Sequence, residues 1–388
     1  MKSSAEVVII GGGVTGCSIA YNLARSNVDV VVLERNYIAC GASGRCGGII
    51  WAHWYTEASS ELMARVGNMT LNRFAHLEEE LDADIEYNLE QSIALVMPGE
   101  EEEYEEEALE LERYFDTQLE FLTTEEIRKL APYIGIDTIQ TVGGYLNTGH
   151  ISKASANPFL TVHALADAAK RLGTTIYTDT EVTDIIVESG RVVGVRTGKG
   201  DIHSRIVVDA AGAWSADVAR LAGIKIPTKP YSEEAVVTEP LMPLPYMPTV
   251  QEVYVRQTKN GQILIGEDPL PKQEPGYNTG TTLDFLARIS EWLLRLLPSF
   301  GHVNIQRQWA GIEDVTPDDL PILGEVEEME GLILACGARG AGFCLSQAIG
   351  EIVAGIILKE DKNREIAEAM SVNRFEKRYR DFPGRWYE

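Results

Sequence analysis

Residues 6–34, EVVIIGGGVTGCSIAYNLARSNVDVVVLE, restrict the fold more than any other stretch of the sequence. Residues 7–10 are wholly apolar and β-branched, as expected of a strand buried on both faces. Gly11, Gly13 and Gly16 follow in the spacing G-x-G-x-x-G, and a helix is expected from about residue 15 to 26, with Ile19, Ala20 and Leu23 on one face. Residues 28–33 read as a second buried strand that ends in Glu34, with Arg35 next. Each glycine has its own task here. Gly11 permits a tight turn, Gly13 lets a pyrophosphate approach the backbone beside Val14 and Thr15, and Gly16 lets helix and strand close up. Free amides at the helix N-terminus face the phosphates. The Glu34 carboxylate is placed to accept from a ribose 2′-OH and would repel a 2′-phosphate. A glycine triplet alone is a weak signal, but a strand before it, a helix after it and an acid at this distance imply a bound dinucleotide.

The 388 residues are too many for one simple nucleotide-binding domain and enough for two. The formal charge is −25, much of it in the Glu-rich run 100–112. That run reads as a solvated helix face or, alternatively, a partner surface. Such an acidic chain repels phosphate backbones, so no nucleic-acid partner is expected. No run of eighteen apolar residues and no room for a presequence are seen, so a cytoplasmic protein without a membrane span is expected. Five cysteines without a C-x-x-C pair and six scattered histidines suggest neither a disulfide framework nor a metal site.

Further glycine-bearing segments recur along the chain. Residues 41–48, GASGRCGG, lead into Ile49-Ile50-Trp51, an apolar and aromatic sequel suited to a ligand wall. Residues 59–82 have helical spacing, 93–97 read as a strand, 100–115 as a helix, and Thr123 with Glu126 as a capping box. From 157 the α/β style returns: a helix to 172, a strand from 175, a hairpin 180–187/191–197, and a buried strand 206–210 closed by Ala211-Gly212-Ala213-Trp214. Residues 225–300 hold strands at 235–238, 250–257 and 262–266 and a helix at 284–297. A strand at 332–335, a glycine turn and an apolar helix follow. The organisation expected is α/β. A Rossmann-like nucleotide domain is drawn from 1–80, 150–220 and 300–388, and a discontinuous antiparallel-sheet substrate domain from 81–149 and 221–299.

These residues together resemble the D-amino-acid oxidase (DAO) superfamily of FAD enzymes over nearly the whole chain. The likeness is greatest to the branch holding sarcosine oxidase β subunits, archaeal L-proline dehydrogenase β subunits and opine oxidases. Gly11 to Gly16 with Glu34 resembles its FAD fingerprint, and Gly41 to Gly47, including Ser43, Gly44, Arg45 and Cys46 and continuing to Gly48, its pyrophosphate and flavin loop. Val182 is similar to the residue whose backbone holds the adenine. Ala210 to Trp214, with Ala211 and Gly212, resembles the segment beside the FAD. Arg307-Gln308-Trp309-Ala310-Gly311, then Thr316-Pro317-Asp318, Pro321 and Gly324, is the most branch-specific match. Cys336-Gly337 with Arg339, Gly340, Ala341, Gly342 and Phe343 resembles the loop that closes on the flavin.

The resemblance implies a glutathione-reductase-type FAD domain. It also implies oxidation of the C–N bond of a small secondary amine or an imino or amino acid, sarcosine-, proline- or opine-like. A hydride equivalent passes to flavin N5 and the product imine hydrolyses. Non-covalent FAD is implied, because no cysteine stands where monomeric sarcosine oxidases tether theirs. The subunit branch implies an electron-accepting partner. A free-standing peroxide-forming oxidase and a non-catalytic FAD-holding assembly subunit are the alternatives. Arg339 either stabilises charge on the flavin or is a surface arginine. Departures from the branch concern the substrate. Glu313-Asp314 stand where glycine oxidases have a carboxylate-gripping arginine, and Trp51-Ala52-His53 where the branch often has G-I-R. Glu233 replaces a histidine, while the family aromatic is kept as Tyr254, with Arg256 on the same strand face. Two readings follow. Arg256 clamps a substrate carboxylate, as the branch favours, or Glu233 and Glu313 face a cationic group. Trp51 and His53 line the cavity, or Trp51 is a packed core aromatic.

Overall fold

The computed structural model describes residues 1–51, 61–115, 117–148, 153–251, 253–267 and 274–375. Strand Val7–Ile10 forms where the sequence is uniformly β-branched, and all four residues are buried. It pairs in parallel with Val30–Leu33 on one side and Ile206–Asp209 on the other. Parallel neighbours need a crossover, and helix Val14–Arg25 supplies the first. Among the described residues the full sheet has nine strands. Its path runs from the hairpin Val182–Glu188/Arg191–Thr197 through Met329–Cys336, Ile206–Asp209, Val7–Ile10 and Val30–Leu33 to Thr175–Tyr177.

Helices Glu61–Leu81, Pro158–Arg171 and Gly342–Leu358 pack with Val14–Arg25 over one face. The expected caps are present. The Asn157 side chain accepts from the Leu160 amide ahead of Pro158, and Thr123 and Glu126 bond reciprocally. The segment Arg339–Leu358 is long and apolar enough to cross a membrane, yet 72% of it is buried inside the protein. Its helix serves as a core element, with Phe343, Ile349, Ile352 and Val353 buried in the main apolar cluster.

A second, four-stranded antiparallel sheet has the order Val253–Gln257, Gln262–Glu267, Lys229–Pro240, Ile305–Val315. Its last strand comes from the segment 300–388, which the sequence reading assigns to the nucleotide domain. Ile305–Val315 pairs along its length with Lys229–Pro240, from Lys229 opposite Val315 to Thr238 opposite Ile305. Ile85 and Phe115, assigned by sequence to the substrate domain, are buried in the same apolar cluster as the nucleotide helices. Another four-stranded sheet, Met247–Thr249, Ser92–Val96, Gly143–Asn147, Leu119–Thr123, covers the outer side of the substrate region. The short strand Ile49–Trp51 pairs with Lys153–Ser155.

Helices Val14–Arg25 and Gly342–Leu358 approach closely at Gly350, where a Cβ would overlap the Ser18 side chain. Alanine normally gains about 1 kcal/mol over glycine in a helix, whereas overpacking a close contact costs roughly 1–3 kcal/mol. Packing wins here, so Gly350→Ala should lower stability in urea unfolding. Adding Ser18→Ala should recover part of the loss. A stabilised Gly350→Ala protein contradicts this account of the helix pair.

Candidate active site

The glycine loops meet where their strands end. Gly11 takes φ +114°, and a Cβ there would overlap the Ala210 carbonyl. Strand Val7–Ile10 can therefore turn only if that position has no side chain. Gly16 packs likewise against the Gly11 carbonyl. Gly13 differs: a Cβ would meet only Ser43 Oγ, at 3.1 Å, so its α-carbon borders open space. That space is a cavity of about 560 Å³, within the range of cofactor and ligand sites.

One end of the cavity is walled by Arg35, Val182 and Trp214. The Arg35 guanidinium lies 3.9 Å from the Trp214 ring centroid, and Tyr277 stacks on the same ring at 5.4 Å. Glu34 also borders the cavity, and its carboxylate accepts from the amides of Gly12 and Asn36, both at 2.8 Å. The middle is bordered by Val14, Thr15, Ser43, Arg45, Ala211 and Gly212. At the far end stand Cys46, Gly47, Gly48, Glu233, Tyr254, Gly311 and Glu313, with Arg339, Gly340, Gly342 and Phe343 closing over. Burial pushes the Cys46 thiol up to about 12, so it faces the cavity as a neutral group.

Four sequence-selected glycine-loop residues support the cavity instead of lining it. Gly16 and Gly44 are pressed against main chain, Gly337 donates its amide to Asp314, and Ala341 is buried. Arg339 takes φ +45° and pairs with Asp319, at φ +57°, across 3.0 Å. Two residues in a conformation costly for side chains thus pair at the cavity rim.

The loop 43–48 is fastened from both sides. Ser43 Oγ accepts from the Val14 amide at 2.9 Å. Trp309 Nε1 donates to the Arg45 carbonyl at 2.7 Å, and Arg256 Nε donates to the Gly47 carbonyl. Arg256 is therefore buried behind the loop and does not border the cavity, so the structure does not bring the sequence-predicted clamp to the site. It shares its surroundings with Lys153 and Glu90, whose charged groups lie 3.8 Å apart. Burial lowers the pKa of both Arg256 and Lys153, with Glu90 opposing the shift. Trp51 is also away from the cavity lining. Its amide and carbonyl engage the Cys344 thiol and its ring lies 5.4 Å from the Lys153 ammonium. His53 lies outside the described residues.

Sequence reasoning missed three contributors. Gly266 stands between Tyr254 and Ala235 in the sheet register, and a Cβ there would overlap the Tyr254 ring and hydroxyl. Tyr254 consequently lies across the neighbouring strand, where burial first and the Glu233 carboxylate second raise its pKa well above the ordinary value. A glycine within a strand, near its end, was the available signal. Asp314 is buried, accepts from the Gly337 amide, and is raised to about 6 by that burial. Asp209 ends an otherwise apolar strand, and its Oδ2 makes no hydrogen bond. Burial raises it from 3.8 to about 7, partly offset by the Ala211 amide.

The comparisons agree with this geometry. The family described as FAD dependent oxidoreductase (DAO) matches residues 6–356. The chain belongs to this family. It is an FAD-dependent oxidoreductase by that membership, and the cavity suits the cofactor because Gly11, Gly13, Gly41 and Gly212 on its wall offer backbone without side chains. The chain is 27% identical to hydrogen cyanide synthase subunit HcnC of Pseudomonas aeruginosa, covering 95% of each. It is 27% identical to sarcosine oxidase subunit beta of an Arthrobacter species, over 97% of this chain and 92% of that one. Among solved structures, L-proline dehydrogenase from P. horikoshii superposes with TM-score 0.88 at 30% identity, covering 97% of this chain and 99% of that one.

Two expectations follow. Arg256→Ala should weaken FAD retention roughly 10- to 100-fold, for loss of a charged hydrogen bond worth ~1.5–3 kcal/mol. With FAD saturating, KM for the amine should barely move; a large KM rise with unchanged FAD affinity restores the clamp. The second concerns Asp209, whose folded pKa of about 7 exceeds its ordinary value of 3.8. Its contribution to stability is greatest below the lower value and is lost as pH rises through the higher one. Asp209→Asn cannot titrate, so its melting temperature relative to wild type should be higher at pH 8 than at pH 4. A difference that stays constant with pH refutes the assignment.

Proposed function

We propose that this oxidoreductase oxidises the C–N bond of a small secondary amine or amino acid and passes the electrons to a partner subunit. One observation carries the reading: a single cavity is bordered both by the dinucleotide loops and by Tyr254, Glu233 and Glu313 of the second sheet. When bound, FAD supplies the hydride acceptor for the C–H beside the substrate nitrogen. The chain's part is to bind, orient and exclude water. Gly13, Val14 and Thr15 would offer backbone to the pyrophosphate, Glu34 would accept from the ribose, and Arg35, Trp214 and Val182 would hold the adenine. Amides of the 340–342 turn and the start of helix Gly342–Leu358 stabilise negative charge that develops near them. Tyr254 and Glu233 receive the amine. No strong general base is required of the protein.

The electron-accepting partner is favoured over oxygen because two of the relatives are themselves subunits of larger enzymes by name. The cofactor is held without a covalent bond.

Anaerobic mixing with a panel of secondary amines and amino acids tests the reading. Substrate should bleach the flavin absorbance, and an artificial dye should be reduced faster than peroxide forms in air. Acid precipitation should leave the flavin in the supernatant. No bleaching by any amine removes the catalytic assignment, and peroxide formed as fast as dye is reduced replaces the dehydrogenase with an oxidase.

A further inference from the structure

We propose that Tyr277 is a positioning residue for the cofactor: reaching over from a segment tied to the second sheet, it holds Trp214 and Asp217 in place at the end of the cavity that takes the adenosine half of FAD. The inference rests on the family's cofactor and on the placing of adenosine at the Trp214 end, and not on which substrate is oxidised.

Residues 274–282 contain neither helix nor strand. The segment is fastened twice to strand Lys229–Pro240 of the second sheet. The Gly276 amide donates to the Pro230 carbonyl at 2.8 Å. The Thr282 amide and hydroxyl donate to the two oxygens of the Glu234 carboxylate, each at 2.8 Å. Between these ties Tyr277 reaches the helix Ser215–Leu221, which follows a strand of the nucleotide sheet. Its ring lies within 9° of parallel to the Trp214 ring, with centroids 5.4 Å apart. Its hydroxyl donates to Asp217 Oδ2 at 2.6 Å, a bond strengthened by the carboxylate's charge. The other oxygen of Asp217 accepts from Arg220, one turn along the same helix. The carboxylate is therefore held between its own helix and the crossing segment.

Tyr277 acts through these neighbours. It is not among the residues that border the cavity, whereas Trp214 and Asp217 are. Trp214 ends the three-residue helical turn that starts at Gly212, so what packs on the indole sets how it lies against the cavity. Arg35, itself on the cavity wall, approaches the ring to 3.9 Å. Tyr277 contributes the aromatic contact, and its bond to Asp217 fixes the position of the phenol. A wall ordered before the ligand arrives lowers the ordering cost of binding. Segment 274–282 thereby links the second sheet to cofactor retention at the end of the cavity opposite Tyr254 and Glu313.

The ring is 43% exposed and belongs to none of the apolar clusters. Its removal therefore takes little from the core, and the effect should be confined to one half of the cofactor. That asymmetry separates a positioning role from general loosening of the fold.

The test measures binding of FAD, ADP and FMN to the full-length, flavin-free protein by calorimetry. Tyr277→Ala should weaken FAD and ADP by the same factor, roughly tenfold for loss of an aromatic contact and a charged hydrogen bond, and leave FMN binding unchanged. Tyr277→Phe keeps the ring and should recover part of the loss, whereas Tyr277→Leu should not. Unchanged ADP binding by Tyr277→Ala, or an equal loss for ADP and FMN, overturns the proposal. If Tyr277→Ala does not fold, the wild type decides. By reciprocity of the two effects, ADP should slow chymotryptic cleavage after Tyr277 and FMN should not; cleavage indifferent to ADP overturns the proposal. Only binding and cleavage are read, so amines that fail to bleach the flavin defeat the proposed function and leave this inference standing.

Discussion

The site depends on two stretches of main chain being able to touch. Gly11 and Ala210 belong to adjacent parallel strands, and their backbones approach so closely that a single β-carbon would separate them. That contact fixes where the first strand ends and where helix Val14–Arg25 begins. The helix N-terminus, the Ala211–Gly212 turn and the end of strand Val30–Leu33 then converge on one space. Such a contact gains little from apolar burial. It is maintained because strands Val7–Ile10 and Val30–Leu33 are apolar and buried on both faces: a slip by one residue would turn Val8 and Ile10 away from one buried cluster and into the other.

The loop 43–48 transmits this order to the second sheet. It is tied to the nucleotide helix through Ser43 and to the antiparallel strands through Trp309, Arg256 and the ring of Tyr254. Cofactor-side backbone and substrate-side side chains are therefore parts of one rigid assembly. Its electrostatics follow from burial more than from pairing. Asp209 and Asp314 are acids lifted toward neutrality by dry surroundings, while the Lys153–Glu90–Arg256 group stays behind the loop, where its charges do not reach a ligand directly.

Local features were legible in the sequence wherever chemistry and spacing coincide within a few residues. The strand–glycine–helix unit, the Glu34 acid, the hairpin around Ser189-Gly190 and the caps at Asn157 and Thr123 all depend on neighbours in the chain. Strand alternation correctly placed Tyr254 and Arg256 on one face. It could not foretell that Arg256 would be captured by a carbonyl 209 residues away, because a side chain's destination depends on what the fold brings opposite. Ile305–Val315 was missed as a substrate-sheet strand for the same reason: its partner, Lys229–Pro240, is distant in sequence and the segment carries a glycine where a strand pattern would be sought. Asp209 was passed over because one carboxyl at the end of an apolar run resembles a strand terminus.

The cavity wall is contributed by short pieces near residues 11–15, 34–49, 180–183, 210–221, 233–254 and 311–349. No contiguous part of the chain holds more than a fragment of it. Closing loops of such length carries an entropic cost that grows slowly with their size, and the cost precedes any reward from the finished wall. During synthesis the ribosome must therefore deliver the stretch from residue 11 to residue 349 before the whole wall can close. Helix Gly342–Leu358 emerges more than 300 residues after helix Val14–Arg25, on which it docks. The cofactor is thus a late arrival that stabilises a finished fold by mass action, and chains that pause or break before that helix offer it nothing to hold.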